Sequence, residues 1–98
     1  MPAYIVASVE VTDEEGFARF REMLPPVVAK HGGRYLVRGG EKHPVEGELK
    51  LHRLVILEFP SMPALRGFYD GADYAPLLKL RLACTKSDVI FVEGVAPG

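Results

Sequence analysis

Charged side chains that stand on otherwise apolar stretches are where chemistry can start in this sequence. Arg38 closes the run Gly33 to Gly40 (GRYLVRGG), and Arg53 opens Arg53 to Phe59 (RLVILEF), which also carries Glu58. Glu10 and Glu93 come late in two further apolar runs, and Glu46 lies nearby in sequence. A charge buried without a partner is strongly unfavourable, so these groups must reach solvent, pair, or line a wet cavity. Two arrangements meet that demand. In one, Arg38 or Arg53 forms an interfacial or rim salt bridge with Glu46 or Glu58. In the other, a pocket lies between sheet and helices. There Arg38 or Arg53 holds an anionic or carbonyl-bearing ligand, Tyr74 and Arg81 reach in from the last helix, and His52 or Glu46 moves a proton. Tyr4, Phe17, Phe20, Phe59, Phe68 and Tyr74 are available to wall that pocket or simply to fill a core.

Other chemistries are excluded by spacing and composition. His31, His43 and His52 have no metal-ligand spacing and no cysteine to support them, so no metal site is expected. There is no nucleophile elbow, phosphate loop or dinucleotide fingerprint, and no cofactor is implied. Gly32-Gly33 and Gly39-Gly40 bracket a strand and read as bends. Cys84, the single cysteine, lies in an apolar helical stretch and reads as a buried, inert thiol. The net charge of −1 with both signs dispersed offers no basic stripe for a nucleic acid. No apolar run approaches the roughly 20 residues a membrane span needs, and no signal-peptide pattern opens the chain. A cytoplasmic protein is the resulting expectation.

These residues need a frame. Ninety-eight residues, 48% of them apolar, suit one domain spanning 1–98. Arg53 to Phe59 is a central strand that Pro60 ends, since proline cannot donate to a ladder, and Ser61 can cap the helix that follows. Tyr4 to Val11 is the first strand, with apolar groups on both alternating faces. Thr12 and Glu15 fit a capping box at a helix start, and Phe17, Phe20, Met23, Leu24, Val27 and Val28 recur at helical spacing. Pro25-Pro26 predicts a break near Leu24, with a short second segment ending at Gly32. Between the glycines, Tyr35 and Val37 are assigned to one face of a short strand and Arg34, Leu36 and Arg38 to the other. Glu41 to His52 reads as an irregular hairpin or an exposed arm. A helix over Ser61 to Tyr69 comes next, then one from Asp73 to Cys84 with a stripe of Tyr74, Leu77, Leu78, Arg81 and Leu82. Asp88 to Gly94 closes the chain as a strand.

Strand, helix, strand, strand, helix, strand is the split βαβ order of an α+β, ferredoxin-like fold with a four-stranded antiparallel sheet. Right-handed crossovers place strands one and three at the centre and the helices on one face. The opposite face then exposes an apolar patch, which predicts a homodimer packed sheet on sheet, with no stable folded monomer on dilution.

Tyr4 to Asp13, Gly32 to Gly40, Val45-Glu46-Gly47, Arg53 to Ser61 and Asp88 to Gly94 resemble, in order and spacing, the domain-of-unknown-function family 1330. This is a group of small bacterial proteins in the dimeric α/β-barrel superfamily. Where that family usually shows a Trp-Tyr-Asp-Ser-Pro-Glu-Tyr-like segment, this chain has Phe68-Tyr69-Asp70-Gly71-Ala72-Asp73-Tyr74, keeping Tyr69, Asp70 and Tyr74. The resemblance implies a ferredoxin-like protomer and a homodimer, and brings no established activity. By analogy with other dimeric α/β barrels, one reading is a cofactor-independent enzyme or a binder of a small, partly apolar organic molecule. The other is a non-catalytic dimerisation or stress-associated module whose charges complete the interface.

Overall fold

Alternation in the first strand decides which face of the sheet is covered. In the computed structural model, which describes residues 1–96, β1 (Ala3–Val11) buries Ala3, Ile5, Ala7 and Val9 and leaves the residues between them half-buried. The remaining elements are α1 (Glu14–Lys30), β2 (Arg34–Arg38), β3 (Arg53–Phe59), α2 (Met62–Tyr69), α3 (Ala75–Cys84) and β4 (Thr85–Glu93). The sheet is antiparallel in the order β2-β3-β1-β4, so β1 and β3 are central as the crossover rule requires. Phe17, Phe20, Leu24 and Val28 of α1, Leu65 and Phe68 of α2, and Leu77 and Cys84 of α3 join the inward residues of β1 and β3 in one core. No helix among the described residues is long and apolar enough to cross a membrane.

The double proline does not break the first helix. α1 runs unbroken from Glu14 to Lys30 with Pro25 and Pro26 inside it. An interior proline costs about 3 kcal/mol, and burying Leu24 and Val28 on either side of the pair returns about 1.5–3 kcal/mol each. With two prolines in the pair, tertiary packing on either side offsets much of the local penalty, and the helix continues. Its start also differs from the expected capping box. Asp13 is the N-cap, its side chain accepting from the Gly16 N–H at 3.3 Å. The Thr12 and Asp13 N–H groups both donate to the Cys84 carbonyl, at 2.8 and 3.1 Å, which ties the turn after β1 to the end of α3 and leaves Asp13 extended.

α3 begins at Ala75, two residues later than expected, and β4 starts directly from it at Thr85 rather than at Asp88. Its inward stripe is Tyr74, Leu77, Arg81 and Cys84, while Leu82 is 64% exposed. An arginine thus points inward and a leucine outward. Thr85 Oγ1 donates to the Arg81 carbonyl at 2.7 Å, closing the helix end against the strand.

The assigned faces of β2 also change. Arg34 pairs with Glu58 and Tyr35 with Leu57, but the register then slips, so that Val37 opposes Ile56 and Arg38 opposes Val55. The extra residue of a β-bulge carries everything beyond it to the other face. Val37 therefore leaves the face of Tyr35, and Arg38 joins it. Residues 40–52 form no regular element and are exposed throughout.

Candidate functional site

Parity and period bring four arginines to one place. Arg53 has the parity of Leu57 and Phe59 on β3 and so faces the helices, and the bulge in β2 turns Arg38 the same way. Arg21 follows Phe17 by one helical turn on α1, and Arg81 lies one turn beyond Leu77 on α3. Together with Ile5, Leu57, Phe17 and Phe68, these side chains enclose a cavity of about 60 Å³ between the helices and the sheet. That is room for about four to six waters, or for one small ring with a substituent.

At the solvent end the guanidinium groups of Arg21, Arg38 and Arg53 converge with no carboxylate paired to them among the described residues. Arg38 Nη2 donates to the Arg21 carbonyl at 3.4 Å, and Arg53 Nη2 donates to the Arg38 carbonyl at 3.4 Å. The Arg21 carbonyl is free because Pro25, four residues on, has no N–H to bond it. Aromatic faces hold the cations in place. Arg38 stacks over Tyr35 at 4.6 Å, and Arg53 and Arg21 stand over the Phe17 ring at 5.6 and 5.7 Å. Arg53 Nε is buried with no hydrogen-bond partner among the described residues. Burial, and then the neighbouring charges of Arg21 and Arg38, lower the pKa of Arg53. Gly39, at φ +69°, makes room for it, since a Cβ there would collide with the Arg53 guanidinium.

At the inner end Arg81 is only 7% exposed and is held by two tyrosines. Its Nε donates to Tyr74 Oη at 3.4 Å and its Nη2 to Tyr69 Oη at 3.1 Å. Both tyrosine oxygens accept from a cation, which leaves their O–H protons to donate elsewhere. Burial pushes the Tyr74 hydroxyl above its ordinary pKa, against the lowering effect of Arg81, so it remains a proton donor; burial raises Tyr35 likewise. The rings are fixed by their neighbours, with Tyr74 packed on Phe68 at 4.7 Å and on Tyr69 at 5.3 Å.

Of the residues singled out in the sequence, Arg38, Arg53, Tyr74 and Arg81 all line this cavity. Glu46 and His52 do not. Glu46 sits in the exposed arm, and His52 lies over the other face, where its N–H donates to Ser8 Oγ at 2.9 Å and its Nε2 is 3.7 Å from Glu10 Oε2. Neither salt bridge foreseen for Arg38 or Arg53 forms within the described protomer. Glu58 pairs instead with Arg34, at 2.7 Å. Phe17, Phe20, Phe68 and Tyr74 wall the cavity, whereas Phe59 is plain core and Tyr4 lies on the opposite face. Sequence reasoning passed over Arg21, Tyr35 and Tyr69. For Arg21 the signal was its i+4 relation to Phe17; for the tyrosines it lay in tertiary packing alone.

The fold defines a class, the ferredoxin-like α+β proteins with a four-stranded antiparallel sheet. A protein of unknown function from Rhodopseudomonas palustris is 20% identical and superposes over 98% of this chain and 84% of that one, with a TM-score of 0.77. A dimeric ferredoxin-like protein of unknown function from Jannaschia sp. CCS1 is 14% identical over 96% of this chain and 100% of that one, with a TM-score of 0.66. SnoaB, a cofactor-independent oxygenase from Streptomyces nogalater, is 14% identical over 98% and 95%, with a TM-score of 0.55. These likenesses concern the fold. The domain-of-unknown-function family DUF1330 matches residues 2–95, and the chain belongs to it. No curated protein matches the chain.

Proposed function

We propose that the protein is a homodimer, paired through the open face of its sheet, in which each protomer binds a small, partly apolar organic molecule in the cavity beneath its helices. The observation that carries the binding reading is the cavity itself, apolar-walled yet ringed by arginines that no described carboxylate neutralises. A packed core has no use for such groups, whereas a ligand site needs a few placed donors among apolar walls.

The dimer reading rests on the other face. The registers align Val37, Ile56, Val6 and Ile90 in a continuous apolar row across all four strands. Ile90 is 58% exposed on the protomer, and the arm beside this face presents Val45 at 91% exposure. A second copy of the row, with the arm folded over it, removes this surface from water. The dimeric Jannaschia protein of this fold supports pairing, without indicating the face.

Any reaction run in the cavity draws, on the protein's side, on hydrogen-bond donors. Its described polar lining consists of arginines and tyrosines, with no histidine or carboxylate to take a proton. Tyr69 and Tyr74, braced by Arg81, are suited to an oxygen that gains negative charge as bonds rearrange. SnoaB shows that this fold can host cofactor-free chemistry. Native mass spectrometry of gently purified protein tests both parts together. The expected species is a dimer carrying extra mass that denaturation releases; a monomer at micromolar concentration contradicts the assembly, and a bare dimer that takes up no added small molecule contradicts the binding role.

A further inference from the structure

The polar groups of the cavity are unbalanced in a way that specifies the ligand further. Its lining has four guanidinium groups, on Arg21, Arg38, Arg53 and Arg81, and three tyrosine hydroxyls, on Tyr35, Tyr69 and Tyr74. An arginine offers five N–H donors and no acceptor. The Tyr69 and Tyr74 oxygens already accept from Arg81. Donors therefore far outnumber acceptors in a cavity open at one end, and the charges there are all of one sign. Arg53 carries the imbalance most plainly, with its buried Nε unpartnered and its charge set against those of Arg21 and Arg38. The missing component is an acceptor with negative charge.

We propose that the cavity takes a small organic carboxylate, its carboxylate seated on Arg53 and Arg38 at the solvent end and its apolar body among Phe17, Phe68 and Tyr74. This rests on the reading of the cavity as a small-molecule site and names the class of molecule. A carboxylate matches the guanidinium fork with two parallel hydrogen bonds and neutralises the converging charges. The mouth is the seat because Arg81 is already engaged at Nε and Nη2, whereas Arg53 Nε is unengaged. A cavity of about 60 Å³ with aromatic and aliphatic walls holds an organic body of about one ring and gives a bare inorganic anion no counterpart for those walls. Gly39 belongs to the same device, because its missing side chain lets the Arg53 guanidinium lie against the backbone at the end of β2.

The test is calorimetric titration of the intact protein with benzoate, its neutral isostere benzamide, and inorganic phosphate, repeated on Arg53→Met and on Arg34→Met. Arg34 lies on the other face of the sheet and pairs with Glu58. The expected result is benzoate binding at least tenfold tighter than benzamide, with the advantage lost in Arg53→Met and kept in Arg34→Met. Should Arg53→Met fail to fold, Arg38→Met must lose the same advantage. Benzamide binding as tightly as benzoate overturns the charge assignment and leaves the small-molecule site standing. Phosphate binding as tightly as benzoate overturns the organic acid in favour of a simple anion site. Absence of binding by all three at millimolar concentration overturns this inference and the binding role together.

Discussion

The two faces of the sheet treat charge in opposite ways. On the open face Arg34 meets Glu58 at 2.7 Å and His52 lies 3.7 Å from Glu10, so basic side chains have acids beside them although water is near. On the covered face Arg38, Arg53 and Arg81 have none among the described residues, although Arg53 is half-buried and Arg81 buried. A fold selected for stability alone would reverse this. Removing a buried, unpaired charge is often neutral or stabilising, whereas exposed pairs contribute about 0.2–1 kcal/mol at most. The difference is what the proposed ligand site on the covered face accounts for.

Several substitutions sharpen or break this contrast, and the largest effect belongs to the covered face. Phe68 is fully buried against Phe59 and Tyr74, so Phe68→Ala should cost about 3–5 kcal/mol in denaturant unfolding, with the loss of its cavity-lining ring as well. A cost under about 1 kcal/mol would mean that the helices do not close over this region as described. On the open face, Ile90→Asp places a charge in the apolar row. It should weaken dimerisation at least tenfold in sedimentation equilibrium while leaving each protomer's cavity unchanged. Retention of the wild-type dimer affinity would remove the row from the interface.

Gly39→Ala is next. With φ at +69° and the Arg53 guanidinium against the site, it should cost about 1–3 kcal/mol in stability and displace Arg53. Smaller still, and more telling, is the pair Arg53→Met and Arg34→Met in the ligand-free protein. The first should leave stability unchanged or raise it, and the second should lower it by about 0.2–1 kcal/mol. Equal losses would mean that Arg53 is a structural charge like Arg34. The smallest effect lies at the rim of the covered face, where Asp73 takes Lys30 Nζ and His31 Nε2, each at 3.2 Å. The hydrogen bond from Lys30, and then that from His31, outweigh partial burial and hold this carboxyl below its usual range. A depressed pKa means stability present above the unfolded value, about 4, and lost as pH falls through the folded value. Thermal melts of wild type and Asp73→Asn should therefore differ at neutral pH and converge in acid; a constant gap would remove Asp73 from the linkage.

Much of this was legible in the sequence, and the parts that were not share one cause. The order of elements and the right-handed crossover rule sufficed for the sheet order, whereas residue type left Arg53 between a rim salt bridge and a pocket. The failures came where long-range packing overrode a local rule. Burial of Leu24 and Val28 carried α1 through Pro25-Pro26, and a one-residue bulge moved Arg38 across the sheet. Arg81 reaches inward as read, on two tyrosine hydroxyls, whereas Leu82, one residue on, faces out of the stripe assigned to it. His52 and Glu46 suggested proton transfer by residue type alone, and residue type says nothing of which face a loop will present. Tyr69 joined the site through the packing of α2 on Tyr74, a contact that no spacing encodes.

One measurement addresses the contrast between the faces most directly, an NMR titration that follows the arginine Nε–H resonances as benzoate is added. The Arg53 and Arg38 signals should shift together and saturably while Arg34, whose Nε is committed to Glu58, stays in place. Shifts at Arg34 equal to those at Arg53, or no shift at Arg53 at millimolar benzoate, would contradict the claim that the covered face is a binding site held open by its unpaired charges.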